Sequence, residues 1–222
     1  MREFTRNNQP HFQSHDTSYA ITLLLFDAVT GPELEALRAA LATEIERIEK
    51  DDRDQKDLRK AIAREENFEA LERLLHDQRA QSHLLRAPAA AEAVGAYFRK
   101  FDGDLLRLHT YSVMSNHAHA LFDLSPQLQH AGPPELRDAD PPELTWPLDR
   151  LIGRLKGGSA HAANAVLGRG GKLWMKGYHD RYVRSEKHFA WVYAYILNNP
   201  TKAGLVDRWI DHPGTWAAGV LR

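Results

Sequence analysis

The sequence predicts a mixed α/β fold of the α+β kind, with helices packed on a sheet. Three observations predict it. Tyr19–Phe26, YAITLLLF, is a β-rich apolar run of strand length. Tyr111–Leu124, YSVMSNHAHALFDL, reads as one further strand: Val113 and Met114 lead in, and Ala120, Leu121 and Phe122 lead out. Between and after these runs, leucines and isoleucines recur at three- and four-residue spacings, the stripe of a helix with one apolar face.

In chain order, residues 1–16 are polar and without periodicity, and read as a loose arm. Tyr19–Phe26 is apolar on both faces, which suits a central strand. The Thr-Gly-Pro signal within Asp27–Pro32 starts a helix. Two stripes follow, Leu34, Leu37, Leu41, Ile45 and Ile48, then Leu58, Ile62, Phe68, Leu71 and Leu75, broken at Asp51–Asp57. They predict a helical hairpin over 33–80, inserted in the domain and standing partly clear of its core. Its dense charge suits a solvated insertion; an arm for a homodimer or for DNA contact is the other reading.

Pro88 suits the first position of a helix to about Lys100, with Ala91, Val94 and Phe98 on its buried side. Leu105–Thr110 then leads to the histidine strand, as its hairpin partner or its continuation. Residues 125–147 form a proline-rich loop of a length that is often functional. Leu148–Leu167 is a helix with Leu151, Ile152 and Leu155 on its apolar face and Gly157 and Gly158 weakening its middle. Lys172–Arg184 interleaves aromatic and basic residues: Trp174, Lys176, Tyr178, Arg181, Tyr182 and Arg184. The mixture suits unpaired bases stacked beside phosphate contacts, and equally an ordinary edge strand. Ser185 caps a last helix, which Pro200 is expected to stop near Asn198.

Composition narrows the function. The chain has no cysteine, which excludes disulfides, thiolate metal sites and cysteine nucleophiles. No apolar run approaches the ~20 residues of a membrane span. The N-terminus lacks the apolar region of a secretory signal. A cytoplasmic protein with no membrane partner is expected. The net charge is only -1, but from Asp149 onward Lys and Arg exceed Asp and Glu by seven. The C-terminal third is therefore the part suited to phosphate.

His117 and His119 share one face of their strand, because side chains alternate. Two adjacent imidazoles can chelate a divalent metal. The spacing alone fits a plain pair of strand histidines just as well.

Three stretches, YSVMSNHAHALF, LWMKGYHDRYVR and YILNNPTKAGLV, occur here in the order found in the single-tyrosine HUH transposases. The sequence resembles most the REP-associated tyrosine transposases. The resemblance covers Leu105–Trp216 well and Tyr19–Asp27 weakly. It implies a ferredoxin-like or RRM-like fold with an antiparallel sheet, spanning 1–222 as one HUH transposase-like domain. It also implies a single-stranded DNA endonuclease and strand transferase acting on hairpin DNA. The intermediate would be a 5'-phosphotyrosine with a free 3'-hydroxyl, and the cofactor Mg²⁺ or Mn²⁺.

Within this resemblance His117, His119 and Asn199 correspond to metal ligands, and Tyr195 to the nucleophile. Tyr195 and Asn199 are four apart and share a helix face, whereas Tyr193 points about 160° away from Tyr195. Tyr178 and Tyr182 lie in the strand-like segment. Asn116, Lys156, Trp174, Lys176, Tyr178, Asp180, Arg181 and Arg184 are weaker candidates for DNA contact or support of the site. A phenol with a pKa near ~10 is a poor nucleophile at neutral pH, which is why a metal is needed to polarise the phosphate. A covalent intermediate keeps the bond energy, consistent with the lack of a phosphate-binding G-x-x-x-x-G-K-[ST] loop.

The chain departs from the family pattern at Ala118, where a bulky apolar residue is usual, and at Ser115, where a proline is common. Two other functions compete: a single-stranded nucleic-acid-binding module without cleavage, and a metal-dependent hydrolase of a small substrate. The hydrolase needs another ligand, for which Asp123 stands at an even step from His119.

Overall fold

The protein is described by a computed structural model that covers residues 2–6, 9–13, 17–51, 53–77, 82–129 and 146–220. Arg2–Arg6 (β1) and Gln9–Gln13 (β2) pair as an antiparallel hairpin. This replaces the loose arm read from the sequence. The pairing is local, and no apolar stripe announces it.

Two compact units follow from the chain's contacts, Asp27–Ser82 and the remainder. The smaller is a helical hairpin of Gly31–Lys50 (α1) and Lys56–His76 (α2). Thr30 caps α1: its hydroxyl takes the Glu33 amide, and the Glu33 carboxylate returns to the Thr30 amide at 3.0 Å. At the bend the Asp51 carboxylate receives Arg53 at 2.7 Å and Arg59 at 2.9 Å. Of the second leucine stripe, Leu71 and Leu75 are buried, but Leu58 and Ile62 lie exposed. The spacing is that of a helix, but in its first turns the buried residues are Ala61 and Ala63 rather than the leucine stripe.

In the larger unit five strands form one antiparallel sheet. They are Ser18–Leu24 (β3), Arg107–Val113 (β4), His117–Asp123 (β5), His179–Tyr182 (β6) and Thr215–Ala217 (β7). Their spatial order is β6-β3-β5-β4-β7. The helices Pro88–Arg99 (α3) and Leu148–Val166 (α5) fall between β3 and β4 and between β5 and β6. That succession is the βαββαβ of a ferredoxin-like unit, with β7 added at one edge. A short helix, Ser125–Gln129 (α4), follows β5, and Glu186–Lys202 (α6) follows β6. Most of the proline-rich loop, residues 130–145, lies outside the described residues. No described helix is long and apolar enough to cross a membrane.

The stretch Tyr111–Leu124 is two strands, not one. The Met114 amide donates to the His117 carbonyl at 2.8 Å, closing a hairpin with Ser115 and Asn116 at its tip. Both are turn-forming residues inside an otherwise β-like run, and their polarity is the reason the strand reverses there. Leu105–Thr110 is thus the start of a hairpin partner. At the tip the Ser115 hydroxyl meets His83 Nδ1 at 3.0 Å, and the Ser115 carbonyl takes the Leu85 amide.

Alternation along β5 divides the sheet. His117, His119 and Leu121 project toward α6, where Leu121 packs with Val192 and Ile196. Ala118, Ala120 and Phe122 project to the other face, where Phe122 meets Tyr19 and Phe98 of α3 packs edge-on against Tyr111. Ala118 therefore sits behind the histidines, opposite Leu23 and Val113 in register, and is fully buried.

The helix α6 does not stop before Pro200 but runs through it to Lys202. Proline removes one amide donor and one intrahelical bond. The next turn still closes, because the Asn199 carbonyl accepts from the Ala203 amide at 3.0 Å.

Candidate active site

Each histidine is fixed through Nδ1. His117 Nδ1 lies 2.7 Å from Asn116 Oδ1, an acceptor, so this nitrogen carries the proton. His119 Nδ1 lies 2.9 Å from the hydroxyl of Thr22, its register partner across β3 and β5. Nε2 is then the nitrogen that His117 offers to a ligand, and that His119 offers when the Thr22 hydroxyl accepts from Nδ1. The rings are buried, with centroids 4.6 Å apart. Two rings oriented by a bond at the opposite nitrogen are what a divalent cation requires of imidazole ligands. The donor set of this face therefore fits a metal.

Tyr195 reaches the same face from α6. Its ring stands 6.0 Å from that of His119, centroid to centroid, at 73°. Trp191, one turn earlier, stacks on Tyr195 at 5.4 Å and 19°. The Lys202 ammonium lies 4.6 Å from the Tyr195 centroid. Asn199, one turn after Tyr195, is fully buried.

The other tyrosines lie elsewhere. Tyr193 stacks on Phe189 at 6.1 Å, and burial pushes its phenol above the usual range. Tyr182 lies across from Tyr19 in register, with the Arg184 guanidinium 5.2 Å from its ring. Tyr178 is buried ahead of β6.

The remaining sequence candidates divide between interior and surface. Asn116 is buried and orients His117. Trp174 is buried, its indole N–H donating to Ser159 Oγ at 3.0 Å. Lys156 donates to the carbonyls of Met175, at 2.6 Å, and Gly177, and so clasps the turn where Gly177 takes a φ of 82°. Lys176 and Arg184 are exposed, and Asp180 and Arg181 half-buried. Arg181 places its guanidinium 5.3 Å from the Trp191 centroid. Burial, and behind it the charges of Arg181 and Arg184, holds the His188 imidazole below its usual pKa. His188 Nδ1 accordingly accepts from the Arg184 amide at 3.2 Å.

Asp123 has other employment. It takes His109 Nε2 at 3.0 Å and the Ser125 amide at 2.8 Å at the start of α4. Four residues of strand also separate it from His119 by roughly 13 Å, too far to share an ion. Thr22, Trp191 and Lys202 are the neighbours that sequence reasoning did not select. Trp191 was within its reach, since it lies four residues before Tyr195. Thr22 was not, because only strand register brings it to His119.

No family model matches the sequence, and no curated protein does. Among solved structures the chain is similar to one described as a REP-associated tyrosine transposase bound to a REP hairpin. The two are 14% identical, with 97% of this chain and 82% of that chain covered and a TM-score of 0.46.

Proposed function

We propose that the protein is a metal-dependent single-stranded DNA endonuclease and strand transferase with Tyr195 as nucleophile. The observation that carries the reading is the Tyr195 ring beside His119, on the face where both histidine rings are held through Nδ1. The ordered motif resemblance of the sequence supports it.

In this reading His117 and His119 hold Mg²⁺ or Mn²⁺, with Asn199 as a third ligand. The metal, when bound, neutralises and polarises the scissile phosphate. Imidazole ligands should favour Mn²⁺ at least as well as Mg²⁺. Asn116 and Thr22 hold the two rings through Nδ1, which leaves the Nε2 side for the metal. Trp191 holds the Tyr195 ring in place. The Tyr195 oxygen attacks phosphorus, the bond from phosphorus to the 3'-oxygen breaks, and the phenolic proton ends on that 3'-oxygen. The DNA is left joined to Tyr195 by its 5'-phosphate, and a 3'-hydroxyl attacking this bond reverses the chemistry onto a new strand. A hairpin with single-stranded flanks is the substrate proposed. The domain would be one catalytic unit over 1–222 with the helices of 33–80 as its insertion.

The test is incubation with Mn²⁺ and an end-labelled hairpin DNA, followed by a denaturing gel. A covalent adduct supports the enzyme. Binding without an adduct supports a nucleic-acid-binding module instead.

A further inference from the structure

Lys172–Arg184 suits base stacking or an ordinary edge strand by its sequence, and Trp174 and Tyr178 of that segment are buried. The aromatic left open beside the proposed nucleophile is Trp191, which keeps 44% of its surface exposed. A large apolar side chain in that position leaves apolar area in water unless something covers it. Its surroundings say what would. Arg181 lies 5.3 Å from its ring, Lys202 lies 4.6 Å from the ring of Tyr195 on which it stacks, and His188 is 6.3 Å from it. Two cations beside an exposed tryptophan stacked on a half-buried tyrosine are the pairing that single-stranded nucleic acid uses: bases on aromatic faces and phosphates on basic groups. The excess of Lys and Arg in this third of the chain has the same sign.

We propose that Trp191, with Arg181 and Lys202, forms a nucleotide subsite next to Tyr195 that stacks one unpaired base of single-stranded DNA and receives its phosphate. The subsite rests on the reading of the protein as a DNA-strand enzyme. It sets the strand's position relative to the tyrosine, so a base must be unpaired where the strand passes Trp191.

The test uses the full chain and a fluorescein-labelled oligothymidylate, with anisotropy read across a salt series. Trp191→Ala should weaken binding roughly tenfold to a hundredfold, and Trp191→Phe should recover most of it. Arg181→Gln should reduce the salt slope by about one. Mn²⁺ binding by each variant, followed by electron paramagnetic resonance, should equal the parent's, which shows the histidine face intact. The subsite is overturned if Trp191→Ala binds as tightly as the parent, if Trp191→Phe does not recover binding, or if the parent binds no single strand. Failure of the enzyme reading looks different: the parent binds, loses binding with Trp191→Ala, and forms no adduct. An adduct with undiminished binding by Trp191→Ala removes the subsite alone.

Discussion

The Tyr195 ring stands edge-on to the His119 ring at 6.0 Å. One comes from a helix near the end of the chain and the other from a strand at its middle. The contact exists because β5 turns its histidines toward the face that α6 covers. The apolar contact of Leu121 with Val192 and Ile196 holds that helix in place.

The ring orientation of the two histidines is testable without any DNA. Thr22→Val and Asn116→Ala each remove the group that fixes Nδ1. Each should weaken Mn²⁺ binding by about 10- to 100-fold while leaving both ligands in place. Titration followed by electron paramagnetic resonance reads this directly. Affinity equal to the parent's in both variants would mean that the Nδ1 bonds do not orient the rings for a metal.

Neighbouring glycines of α5 should respond with opposite signs. A methyl group at Gly157 meets nothing within 4 Å, while one at Gly158 falls inside the ring of Tyr97. Gly157→Ala should stabilise the protein by about 0.4–1 kcal/mol, because alanine loses less backbone freedom in a helix. Gly158→Ala should destabilise it by about 1–3 kcal/mol, the usual cost of overpacking. Urea unfolding curves of the two variants compare them, and equal midpoints would contradict the packing described.

Asp123 gives a prediction in pH. Burial alone would raise its pKa, but hydrogen bonds from His109 and from Ser125 outweigh burial and hold it below the ordinary carboxylate range. A depressed folded-state pKa contributes stability that is present above the unfolded value, about 3.9, and is lost as pH falls through the folded value. Asp123→Asn should lower Tm at pH 7 by about 2–4 °C, the loss of roughly one hydrogen bond. The gap from the parent should close as the pH drops below about 4. A gap that persists at low pH would mean the carboxylate charge is not what matters.

Much of this arrangement was legible in the sequence, for identifiable reasons. The helices declared themselves by period, and Pro88 and Ser185 marked their starts. The histidine pair lay on one face by alternation, and helical pitch put Tyr195 and Asn199 on one side of α6 as an expectation. What the sequence could not supply was pairing across distance. Thr22 supports His119 only because β3 and β5 meet in one register. The hairpin at Ser115–Asn116 was hidden because the apolar residues on both sides of the turn run on as if in one strand. Trp174 and Lys156 looked like DNA contacts by composition, yet their polar atoms are engaged with Ser159, Met175 and Gly177. Composition reports what a side chain can do and not which way it points. Pro200 was a sound stop signal, yet the helix runs two residues past it to Lys202.

The measurement that bears most directly on the proposed chemistry is the site of covalent attachment. Wild-type protein is incubated with Mn²⁺ and a hairpin DNA, digested with nuclease and trypsin, and its peptides are fragmented in a mass spectrometer. A residual nucleotide is expected on Tyr195, in the peptide His188–Lys202, and none in Tyr195→Phe. A nucleotide on Tyr178, Tyr182 or Tyr193, or an adduct that survives Tyr195→Phe, would contradict it.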